Sequence, residues 1–150
     1  MGTDIDADID IDVLPHLGGT GAGGFYELAE RVILARPLPG YRQTGEGARR
    51  SLAEAHRIAR EIGRPIVLVL AADRMGSDDG QSREVWRTGL DTDLVVGVVI
   101  VSRSLLGRAI GSFIIGVARP PVPAKMVDSF TEAVVRGNGL LAARGEAPDE

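Results

Sequence analysis

The chain has no cysteine, a single lysine and two histidines. Without cysteine there are no disulfides, no thiolate metal sites and no cysteine nucleophile, and the absence agrees with a reducing compartment. The histidines, His16 and His56, have no second His and no acid at metal-ligand spacing, so neither a metal site nor a catalytic imidazole is expected. No serine stands in a G-x-S-x-G elbow and no P-loop occurs. The N-terminus lacks the basic, apolar, small-residue order of a secretory signal, and a cytoplasmic location is the expectation. The most apolar helical stretch, residues 105–118, would extend only about 21 Å, too short to cross a bilayer, so the chain is not expected to be transmembrane. No repeat of fixed period is present.

What remains is the composition of one soluble domain: 150 residues, 44% hydrophobic and 25% charged. The net charge of -4 is unevenly spread. Asp4, Asp6, Asp8, Asp10 and Asp12 make an acidic arm, while Glu146, Asp149 and Glu150 make an acidic tail. The body between them is mildly basic, but its arginines are scattered, which argues against nucleic acid as a partner. The first three aspartates match the opening ligand spacings of an EF-hand loop, yet Ile9 and Pro15 stand where that loop needs Gly and Glu. No metal is expected.

The stretch GGTGAGG, residues 18–24, carries Gly19, Gly21 and Gly24 at the G-x-G-x-x-G spacing. A dinucleotide loop needs a strand before it, a helix after it and an acidic ribose partner about 20 residues on. The five aspartates upstream would oppose a phosphate, and Pro37 and Pro39 break the crossover helix. The stretch is therefore expected to be a flexible linker, and residues 1–24 an acidic, Gly-rich leader.

Beyond the leader the pattern alternates between strand and helix. A strand is expected through Val32, Ile33 and Leu34. Ala48, Leu52, Ala55, Ala59 and Ile62 then form a helical stripe started by Thr44 or Gly45 and ended by Gly63. PIVLVLAA and LVVGVVIVS read as strands covered on both faces, separated by a loop and a short helix carrying Val85 and Trp86. A helix follows over 105–118, then a Pro-rich turn, a short edge strand in AKMVDS and a closing helix from Phe130. The fold class is α/β: a mixed sheet of four to five strands with about four helices, spanning residues 25–143, with 144–150 as the tail.

The segment VVGVVIVSRSLLGRAIGSFIIGVARPPVP followed by MVDSFTEAVVRGNGLL resembles the STAS domain family, in its bacterial branch similar to the sporulation anti-anti-sigma factor and the related lipid-carrier fold. The resemblance implies a non-enzymatic regulatory or adaptor module in signalling, acting through protein-protein contact and needing no cofactor. In the switching branch of that family a loop serine is phosphorylated. Here the corresponding loop is Ser77, Asp78, Asp79 and Gly80, with Asp79 at the acceptor position, a departure that puts kinase switching in doubt.

Two further sites are expected. Ser102, Arg103 and Ser104 lie where a strand gives way to a helix and form a candidate anion site. Leu106, Ile110, Phe113, Ile114 and Val117 make the face of an apolar contact helix, for a protein partner, a second copy or a lipid. The alternative function is accordingly a carrier or sensor of a lipid or small anionic ligand with Arg103 at its mouth. A nucleotide-binding enzyme ranks last.

Overall fold

The structure is a computed structural model that describes residues 9–78 and 80–145, with only the backbone described at 76–78 and 117–118. In chain order its elements are β1 (His16–Thr20), β2 (Gly23–Ala29), β3 (Val32–Pro37), β4 (Tyr41–Gln43), α1 (Gly45–Ile62), β5 (Ile66–Ala71), β6 (Met75–Asp78), α2 (Gln81–Gly89), β7 (Val95–Val101), α3 (Leu105–Phe113), β8 (Ala124–Val127) and α4 (Phe130–Ala143). Six strands form one mixed sheet in the order β1-β2-β3-β5-β7-β8, and β4 pairs with β6 in a separate two-stranded piece. The first three strands are an antiparallel meander, and β3, β5, β7 and β8 are parallel. The α/β class is as expected, but the main sheet has six strands and not four to five.

Of the extra strands, β1 lies in the supposed leader of residues 1–24 and β2 begins at its end and runs on to Ala29. His16–Thr20 and Gly23–Ala29 pair as a hairpin with Thr20 opposite Gly23, so GGTGAGG is a tight turn inside the sheet and not a linker. Glycine is needed there for packing. A Cβ on Gly18 would run into the Glu54 carboxylate, and Gly23 holds φ +156° with the Pro37 Cα only 2.7 Å from where its Cβ would be. Upstream, Asp10 caps a 3-10 turn at Ile11–Val13, and Ile9 and Ile11 pack partly against the core. The arm's Asp4, Asp6 and Asp8 and the tail's Glu146, Asp149 and Glu150 fall outside the described residues.

Every residue of β5 and β7 is buried, as continuous β-branched runs require of strands covered on both sides. Alternation sorts the side chains. Ile33, Ile66 and Leu68 pack with Leu52, Ala55, Ile58 and Ala59 of α1. Val32, Leu34, Val67 and Val69 pack with Phe130, Ala133, Leu140 and Leu141 of α4 on the opposite face. Leu70, Val98 and Ile100 continue the α1 face beneath Ile110 of α3. Each parallel step thus crosses on one side of the sheet, as right-handed connections moving in one direction must, and α4 covers the other with Ile9 and Ile11 packed on the same face. A bulge in β7 fits it to α4: Ile66 pairs with Val95 and Val67 with Gly97, leaving Val96 as the extra residue, and Leu140 lies against Gly97.

α1 follows its sequence signals closely. The Thr44 hydroxyl accepts from Gly47 N at 2.9 Å, and Gly63 ends the helix at φ +82°. Its outer residues also anchor the hairpin. Arg57 donates to Leu17 O at 3.0 Å and pairs with Glu54 and Glu61, while the Glu54 carboxylate accepts from Gly19 N at 3.0 Å. Among the described residues, no helix is long and apolar enough to cross a membrane.

Candidate functional site: an apolar cavity beneath α3

A cavity of about 330 Å³ lies between the α1 face of the sheet and the helices α2 and α3. Its floor is Phe25, Ala35, Leu70 and Val98, four residues of four strands that share one face. One wall is α3, with Ala109, Ile110 and Phe113 followed by Ile114; the wall opposite is α2, with Ser82, Arg83 and Trp86. The hairpin turn closes one end through Thr20, Ala22 and Gly23, and Tyr41, Gln43 and Met75 of the two-stranded piece close another. These walls are tied to the sheet by backbone and side-chain bonds: Leu38 N to Ala22 O, Gly40 N to Arg74 O, and Arg74 Nε to Pro37 O. The site lies toward the carboxyl ends of the parallel strands, where open α/β sheets commonly bind ligands.

The lining is largely apolar, with a few polar groups. Gln43 Oε1 is buried with no hydrogen-bond partner among the described residues. Ser51 and Ser82 are buried hydroxyl residues at the rim of the helices. The Arg83 guanidinium reaches from α2 to lie 5.1 Å from the centre of the Phe113 ring on α3, within cation–π range, and makes no ion pair among the described residues. Arg36 also borders the cavity, but it pairs with Gly24, next to Phe25 opposite Ala35, so strand alternation turns its side chain to the α4 face.

The expected contact helix is only partly as anticipated. Ile110, Phe113 and Ile114 do line the cavity. Leu106 does not: it is 71% exposed, beside Leu105 at 86%. The inner face of α3 is set by Gly107 and Gly111, which let the helix settle against Asp73, Ile100 and Met126, and this rotation leaves Leu105 and Leu106 outside. The helix also changes character at Ile114–Ala118, where a π turn ends in Arg119 with φ +48°. The Val117 side chain is outside the described residues.

Ser102, Arg103 and Ser104 are brought together, but around an anion the chain supplies itself. The Asp73 carboxylate accepts from Arg103 N at 2.7 Å and from the Ser104 backbone and hydroxyl, and the Ser104 hydroxyl also caps Gly107 N. Arg103 Nε turns away to Asp128 O at 2.8 Å. The segment is thus an internal clasp between the end of β5 and the start of α3. Arg103 is not among the residues bordering the cavity. Ser102 is buried, with its Oγ unpartnered among the described residues.

The partner-binding loop is expected over Ser77, Asp78, Asp79 and Gly80, but Ser77 and Asp78 belong to β6, with Asp78 paired to Gln43. Gly80 stands at the start of α2 with φ +82°. The side chains of Ser77 and Asp78, and all of Asp79, fall outside the described residues. Gly19, Gly21 and Gly24 meet a second strand and no helix, so the geometry that would bring helix N–H groups to a phosphate is missing. No cluster of three or more potential metal ligands occurs among the described residues. His56 serves structure: its Nε2 accepts from Asp91 N at 3.1 Å, and burial lowers its pKa.

Sequence patterns did not reveal Phe25, Gln43, Arg83 and Trp86 as neighbours. The available signal was the spacing of Ser82, Val85 and Trp86 on α2, whose inner side faces the cavity and α1. No family model, curated protein or solved structure matches the chain.

Proposed function

We propose that the protein is a non-enzymatic binding module, a carrier or sensor whose ligand is a small molecule with an apolar body seated between the sheet and α2–α3. The observation that carries this is the cavity itself: about 330 Å³, in the size range of small-molecule sites, walled by apolar side chains with a few convergent polar groups. Its described lining holds no carboxylate, imidazole or thiol, so the usual general bases are missing from it. The G-x-G-x-x-G spacing lends no support to a nucleotide enzyme, because its glycines serve a hairpin.

The test uses Trp86, the only tryptophan of the chain, which lines the cavity. Titration with an uncharged apolar probe such as Nile red should shift and quench its emission in a saturable way. Ile110→Trp would narrow the space beneath α3 and, read by the emission of Nile red itself because the variant adds a second tryptophan, should abolish saturation while leaving the fold intact by circular dichroism. If saturation survives Ile110→Trp, the probe binds elsewhere and the reading fails.

The regulatory adaptor role implied by the STAS resemblance is the second reading. It is favoured by Leu105 and Leu106, an exposed apolar pair at the start of α3. A Leu105→Ser, Leu106→Ser variant that lost partner binding but kept probe binding would put it first.

A further inference from the structure

Resting on that cavity reading, we infer that the ligand is an amphiphilic anion, a medium-chain carboxylate, whose head group pairs with Arg83 as its chain lies beneath α3. Three observations converge. The cavity has room for about eleven water-sized groups, which suits a medium chain better than a diacyl lipid. Its floor and far wall, Phe25, Leu70, Val98 and Ile110, offer an alkyl chain contact but no polar partner. At the α2 wall, Arg83 presents a guanidinium with no carboxylate opposite it among the described residues.

The charge balance gives the reason for an anion. A guanidinium over an aromatic ring gains a modest cation–π attraction, whereas a carboxylate accepting from its planar fork gains a charge-assisted, two-bond contact. In a space walled largely by apolar groups, that difference grows. Arg83 and Ser82 lie in the first turn of α2, so the positive end of the helix adds to the same preference. A ligand carboxylate would then draw Arg83 from Phe113, exchanging a bridge between α2 and α3 for one between α2 and the ligand. Arg83 is thus a specificity-determining residue, and the Arg83–Phe113 contact is the ligand-free state of the cavity wall.

The experiment compares decanoate with decanol at pH 7, read by Trp86 emission and by calorimetry, on the wild type, Arg83→Gln and Arg83→Lys. Decanoate should bind the wild type at least about tenfold more tightly than decanol, the scale of a hydrogen bond to a charged group. Arg83→Gln should erase that preference without weakening decanol, and Arg83→Lys should keep part of it. Melting curves of the variants establish that they are folded. Equal binding of decanoate and decanol to the wild type, or a preference that survives Arg83→Gln, would overturn the inference while leaving the cavity reading intact. Failure of both compounds and of Nile red to bind would overturn the two together.

Discussion

Gly18, Gly21 and Gly23 show how differently three glycines of one short stretch can be constrained. A Cβ on Gly21 would meet nothing within 4 Å. One on Gly18 would strike the Glu54 carboxylate, and one on Gly23 would strike the backbone of β3 at a positive φ. Gly21→Ala should therefore change the unfolding free energy, read from urea denaturation, by less than about 0.5 kcal/mol. Gly18→Ala should cost about 1 kcal/mol, because the flexible Glu54 and Arg57 side chains can give way at the expense of the Gly19 N–Glu54 bond. Gly23→Ala should cost about 2 kcal/mol or more, since backbone cannot yield so easily. Equal effects at all three positions would contradict the hairpin. The sequence displayed the glycines of residues 18–24 without saying which function they served, because a spacing such as that of Gly19, Gly21 and Gly24 records where glycine stands but not whether a phosphate or a carboxylate from α1 comes close.

Two titrating groups of α1 make a second test at this scale. Burial lowers His56 below its ordinary value of 6.5, with Asp91 opposing and Arg60 adding to the shift. The hydrogen bond from Arg57 is the main cause that lowers Glu54 below its ordinary value of 4.5. For both groups the unfolded chain takes up a proton at a higher pH than the folded chain, so stability rises with pH across each window. The His56 contribution is complete above pH 6.5 and is lost as pH falls through its lower folded value; that of Glu54 is lost later, below 4.5. Urea midpoints measured from pH 8 to pH 3 should fall in two stages, with His56→Gln flattening the first. A midpoint that rises between pH 7 and pH 5 would contradict the hydrogen bond from Asp91 N to His56.

At the scale of elements, α1, β5 and β7 were legible because a single physical signal dominated each. Ala48, Leu52, Ala55 and Ala59 are all buried at helical spacing, and the two central strands are buried throughout. β1 was not legible because little in HLGGT packs as a strand should: it is held by Arg57 and Glu54, residues some 35 to 40 positions away. α3 was found, with Ile110, Phe113 and Ile114 turned to the cavity, but Leu106 was placed on that face because the apolar stripe was counted and the two glycines that set the approach were not. The hairpin bears directly on stability. Deleting residues 1–22 removes β1 and uncovers β2 along its length, so the unfolding free energy should drop by more than about 2 kcal/mol, read from urea denaturation. Unchanged, cooperative unfolding of the truncated chain would show that β1 contributes nothing to the sheet.

Across the whole molecule, the cavity arises where segments from the β1–β2 hairpin through to α3 meet, and none of them is unusual alone. Phe25, Leu70, Val98 and Phe113 are ordinary apolar residues until the parallel order β3-β5-β7 and the one-sided crossovers bring them around a common space. Fold class follows from local periodicity, whereas a site of this kind depends on pairing between distant strands, which leaves no local trace. The most direct measurement is amide-shift mapping of the labelled protein during titration with decanoate. The expected result is saturable shifts concentrated at Ser82, Arg83, Trp86, Ile110 and Phe113, with Leu105, Leu106 and α4 little changed. Shifts centred on Leu105 and Leu106, or none at millimolar decanoate, would contradict a ligand site beneath α3.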